Sequence, residues 1–160
     1  MGLFFKRRKA AAAGLLGLEF GPQGVALAQV QRTGGETPQL LRCDYLEGQP
    51  EAQAELLRQA VADHGLSGMP VNLLLHPSAY QMFLLEAPEV PAEELRDAMR
   101  WRVKDLLSEP LEDVVIDSFS LPEDAYRGRT RMVYCAVLKK SRMNEFRSLV
   151  QQAGLTLASI

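Results

Sequence analysis

With 160 residues, 47% of them hydrophobic, and a net charge of −2, the chain has room for one globular domain or two small lobes sharing a core, not for a string of domains. Residues 1–17 carry Lys6, Arg7, Arg8 and Lys9 and no acid, so the other 14 of the 18 basic side chains face all 20 acids. An acidic body excludes nucleic acid as the main partner, and no apolar run reaches the length of a membrane-spanning helix.

The chain opens on Met1-Gly2-Leu3-Phe4-Phe5, then the basic residues 6–9. That apolar-then-basic tip reads as a flexible leader over residues 1–14, or as a peripheral contact with an anionic membrane surface. A basic patch before an alanine-rich stretch superficially matches an export signal, but Glu19 and Gly21-Pro22-Gln23-Gly24 interrupt its apolar region. Residues 15–20 and 25–30 flank that turn as two antiparallel strands. A second turn, Thr33-Gly34-Gly35-Glu36-Thr37-Pro38, leads to a third strand over 39–46, with Leu41, Cys43 and Tyr45 alternating. Cys43 and Cys135, far apart in no metal-like spacing, are expected to be reduced, buried thiols.

Pro50 opens a helix whose stripe is Leu56, Leu57, Ala60 and Val61, with Gly65 as its stop and His64 in a structural place in its last turn. The run VNLLL, 71–75, suits a buried central strand. Beyond His76-Pro77-Ser78 the pattern predicts a strand over 80–85, a helix over 91–107 with Glu93 and Glu94 in its first turn, and strands over 114–121 and 130–138. The loop Arg127-Gly128-Arg129 between those last strands reads as a solvated tip. Ser141 is the expected N-cap of a last helix with Met143, Phe146, Leu149, Val150 and Ala153 on one face, followed by a strand over 155–160. Three meandering strands, a crossover helix and a fourth strand open a ribonuclease-H-like mixed sheet, into which a strand-helix-strand-strand unit is inserted.

The hairpin GLEFGPQGVALAQV and the block WRVKDLLSEPLEDVVIDSFSLPEDA resemble the actin-like proteins of type IV pilus biogenesis, PilM and its MSHA-pilus relative MshI. The inserted unit also resembles the corresponding subdomain of the division protein FtsA. The resemblance implies an α/β fold with a mixed sheet. Residues 15–78 and 139–160 would form an actin-like first lobe and 79–138 the inserted module, with the second lobe absent. It implies a cytoplasmic protein at the inner face of the cytoplasmic membrane, held there by the short N-terminal peptide of a PilN-like partner. Relatives in type II secretion, the GspL group, imply a further link to an assembly ATPase.

In this family the first phosphate loop carries Asp and small hydroxyl residues; here Glu19, Gly21, Gln23 and Gly24 stand at the matching positions, with Pro22 among them. A longer carboxylate and a missing backbone donor weaken phosphate chemistry. The expectation is therefore no enzyme and no cofactor for this chain alone; the alternative is an ATP-binding or ATP-hydrolysing switch, with ATP and Mg, in a longer form. For partner binding the candidates are Trp101, Tyr80 and Met82, since Trp101 falls off the helix stripe of Leu95, Ala98, Met99, Val103 and Leu106. Trp101 has a competing reading as a residue packed against the first lobe. Arg102, inside the apolar stripe, is expected either to snorkel to solvent or to pair with Asp117 or Glu86. No metal site is expected.

Overall fold

The computed structural model describes residues 14–32, 37–125 and 130–160. The readings of residues 1–13, of residues 33–36 within the turn at 33–38 and of the loop at 127–129 lie outside the described residues. The described residues build two compact units, one of those up to His76 together with Phe146–Ile160 and one of those between Pro77 and Glu145.

The first unit is a five-stranded sheet in the order β3-β2-β1-β4-β8. β1 (Leu15–Gly21), β2 (Gly24–Gln31) and β3 (Gln39–Glu47) form an antiparallel meander. β4 (Pro70–Leu74) runs parallel to β1, and β8 (Thr156–Ser159) parallel to β4. The parallel pairs require crossovers, supplied by α1 (Pro50–His64) and α3 (Lys140–Gln152). This is the mixed sheet expected from the order of elements, an antiparallel meander extended by parallel strands. Alternation puts Leu16, Leu18, Phe20, Val25, Leu27, Val71 and Leu73 inside, with Leu57, Ala60 and Val61 of α1 and Phe146 and Val150 of α3 also buried. The rings of Phe20 and Phe146 stack at 5.7 Å. α1 ends as expected on Gly65, whose φ of 66° is left-handed.

The second unit is a three-stranded antiparallel sheet, β5-β7-β6, made of β5 (Gln81–Glu86), β6 (Val114–Ser120) and β7 (Met132–Lys139). α2 (Leu95–Lys104) covers one face. Its core is Met99 and Val103 with Val114, Ile116, Val133, Cys135 and Val137, and Phe83, Leu85 and Leu95 pack against it.

Several expectations are corrected. α2 is shorter than residues 91–107, because i→i−3 bonds replace the α-helical ladder at both ends: Glu94 N–H to Pro91 O and Leu106 N–H to Val103 O. Glu94 is therefore the residue before the helix, and Asp97 is the acid of its first turn. Leu106 lies beyond it and is exposed. β7 runs into α3 without a loop, so Ser141 is inside the helix rather than its cap, and the two units divide within α3. Cys43 is exposed, not buried. Leu41, Cys43 and Tyr45 form the exposed face of β3, and Arg42, Asp44 and Leu46 the half-buried one, because β3 is an edge strand with helix cover on one face only.

Candidate functional site

Two places carry the sequence candidates. In the first unit, β1 and β2 are joined by Pro22-Gln23, with Gly21 paired to Gly24. Proline holds φ near −65°, which excludes the primed turns that match strand twist. The turn is instead held from outside. The Gly48 N–H donates to the Gln23 carbonyl at 2.9 Å, and the Gln53 amide, 3% exposed, donates to the Gly21 carbonyl at 2.8 Å. A shallow pocket of about 260 Å³ is lined by Glu19, Gly21, Pro22, Gln23, Gly24, Ala26, Tyr45 and His76. All four phosphate-loop candidates thus meet in one place. Tyr45 rests against Gly24 so closely that a Cβ there would come within 2.6 Å of its ring and of the Leu46 carbonyl oxygen. Sequence reasoning missed Tyr45 and His76; the register Ala26↔Tyr45 brings the tyrosine in, and no local pattern signals it. Also in this unit, Arg42 Nη1 lies 3.1 Å from both Asp44 Oδ2 and His64 Nε2, which gives His64 a structural role tying α1 to β3. Among the described residues no cluster of His, Cys, Asp and Glu could hold a metal ion.

In the second unit, a cleft of about 500 Å³ opens at the start of β5, where Tyr80 and Gln81 meet Leu107, Glu109, Lys139 and Arg142. Two ion pairs, Lys139–Glu109 and Arg142–Glu145, edge it. β5 is an edge strand among the described residues. Met82 and Leu84 are exposed on β5, while Phe83 and Leu85 pack on the core beside α2. Met82 therefore projects from the sheet face opposite α2. Trp101 is 64% exposed on α2, with Lys104 Nζ 5.4 Å from its ring centroid. The reading of Trp101 as a buried packing residue fails, and the structure places it and Met82 on opposite sides of the sheet. Tyr80 immediately precedes the strand that carries Met82. Arg102 reaches the Glu86 backbone carbonyl at 2.6 Å rather than a carboxylate, and Asp117 faces Arg96 at 3.8 Å.

No protein-family model matches the chain, and no curated protein does. Among solved structures, it is similar to one described as the PilM–PilN type IV pilus biogenesis complex, with a TM-score of 0.71 and 22% identity, over 93% of this chain and 47% of that one. It is also similar to the cytoplasmic domain of EpsL, an inner membrane component of the type II secretion system of Vibrio cholerae. There the TM-score is 0.62 and the identity 14%, over 89% of this chain and 54% of that one. The chain spans about half the length of these structures. At such identities the likeness is one of fold: this chain shares the architecture of part of a chain of the PilM–PilN complex and of part of the EpsL cytoplasmic domain.

Proposed function

We propose that the chain is a non-enzymatic scaffold on the cytoplasmic side of a type IV (MSHA-like) pilus or type II secretion assembly, at the inner face of the membrane. It takes a short extended peptide from an inner-membrane partner, as PilM has PilN in the complex of similar fold. The observation that carries this reading is the open edge of β5 beginning at the Tyr80 cleft. An extended peptide can add main-chain hydrogen bonds along such an edge and place a side chain in the cleft. Among the described residues no helix is long and apolar enough to cross a membrane, so attachment by a partner suits what the fold offers. Trp101, on the opposite side of the sheet from Met82, is free for a different contact, such as an assembly ATPase. The hairpin supports a scaffold over an ATP switch, because Pro22 offers no N–H and Tyr45 rests on Gly24.

Calorimetry with the N-terminal peptide of a PilN-like protein tests the reading. Micromolar binding is expected. Tyr80→Ala should weaken it by roughly tenfold or more, as for an aromatic anchor in a pocket, while Trp101→Ala leaves it nearly unchanged. No heat at high micromolar peptide, or equal binding by Tyr80→Ala, overturns it.

A further inference from the structure

The two edges of the three-stranded sheet differ. The Ala87 N–H donates to the Arg131 carbonyl at 2.7 Å, continuing the register that pairs Gln81 with Val137 and Glu86 with Met132. Bonded pairs alternate along an antiparallel ladder, so Phe83 and Leu85 also turn their main-chain groups to β7. Met82, Leu84 and Glu86 turn theirs outward. On the other side the Leu121 N–H donates to the Met132 carbonyl at 3.1 Å. By the same alternation Asp117 and Phe119 bond β7 and Ser118 turns outward. That Ser118 N–H already donates to the Asp117 carboxylate at 3.0 Å, and Arg96 stands 3.8 Å from the same oxygen. The β6 edge is closed at its middle.

The β5 edge is closed only at its end, where the outward Glu86 carbonyl accepts from Arg102 Nη1 at 2.6 Å. Among the described residues, nothing bonds the outward main-chain groups of Met82 or Leu84. Both their N–H and both their C=O groups stand open, about 6.8 Å apart along the strand. An extended chain offers donors and acceptors at that spacing, whereas a helix spends its own internally. Side chains of an added strand alternate in step with those of β5. Every second one would lie beside Met82 and Leu84, both exposed. On that face Leu84, Tyr134 and Phe119 form a row across the sheet, with the two aromatic rings 5.5 Å apart. Back from Met82, the edge leads to Tyr80 and its cleft.

We infer that Arg102 ends the strand-accepting edge, so that the site takes an extended segment of about five residues with apolar side chains at two alternate positions. This rests on the peptide reading above and adds to it the register, the length and the ligand's chemistry. The two bonded residues oppose Met82 and Leu84, and a flanking residue reaches the Tyr80 cleft. Pairing stops where Arg102 occupies the Glu86 carbonyl, which makes Arg102 a positioning residue. Proline is excluded at either bonded position, since it brings no N–H.

Amide exchange by NMR on the whole chain tests it, with and without a PilN-like N-terminal peptide long enough to pass Glu86. In the free chain Phe83, Leu85 and Ala87 should exchange slowly, and Met82, Leu84 and Glu86 fast. The peptide should slow Met82 and Leu84 by roughly tenfold or more and leave Glu86 fast. In Arg102→Ala it should slow Glu86 as well. Leu84→Pro removes an outward N–H and no bond to β7, so peptide affinity should fall by roughly tenfold. If that variant fails to fold, N-methylating either bonded residue of the peptide should give the same loss, and N-methylating the residue between them little. Glu86 slowed in the native chain, or still fast in Arg102→Ala, overturns the inference. So do unchanged Met82 and Leu84 amides while calorimetry shows binding, and in these cases the peptide reading stands. No heat removes both. Slowing of Met82 and Leu84 with rising chain concentration and no peptide also overturns it, by making the edge an interface between copies.

Discussion

Cys43 and Cys135 each lie inside a strand, yet one is exposed and the other buried. Period-two alternation says which residues share a face and not which face a helix will cover. Trp101 was legible for the opposite reason: helical arithmetic puts it off the stripe of Met99 and Val103, and it is exposed. Arg102 was not, because its partner is a backbone carbonyl, which every residue carries and no pattern marks. The thiols give a direct check. Burial pushes the Cys135 thiol above its ordinary range, so at pH 8 both access and ionisation protect it. An aromatic disulfide reagent should label one thiol quickly in the native chain and the second only on unfolding. Cys43→Ser should remove the fast phase entirely; two fast thiols, or a fast phase that survives, would contradict the placement.

Most elements could be read from the sequence at their centres and least at their ends. The β1–β2 hairpin was predicted to within a residue, since Gly21-Pro22-Gln23-Gly24 stops both apolar runs. What holds its unprimed turn was invisible, because Gly48 and Gln53 come from beyond β3. Their role follows from the mismatch between a proline-led turn and strand twist. Gln53 is buried and its amide satisfies the Gly21 carbonyl and, at 3.3 Å, the Gly48 carbonyl. Gln53→Leu keeps most of the volume and leaves those acceptors without this donor. A loss of about 1–3 kcal/mol is expected in urea unfolding, the cost of a buried group deprived of its partner. A neutral result would mean that water replaces the amide and that the turn stands without the clamp.

At the scale of the whole molecule, the order of elements was enough to predict a mixed sheet interrupted by an insertion. Consecutive antiparallel strands pair, and a strand-helix-strand crossover returns parallel. Sequence order alone could not say that the insertion would own a closed core, which depends on Met99 and Val103 of α2 meeting Val133, Cys135 and Val137 of the central strand β7. Each unit has buried residues of its own, and units of that kind can open sub-globally with different free energies. Met99, fully buried, tests this. Met99→Ala should cost about 2–5 kcal/mol through transfer and cavity terms. In native-state hydrogen exchange the loss should appear in the amides of β5, β6, β7 and α2, leaving β1 and β2 at their original protection. Leu57→Ala, in the α1 stripe of the first unit, should do the reverse. If either substitution lowers protection equally in both sheets, the two cores unfold as one cooperative body, and the insertion is structurally dependent on its host.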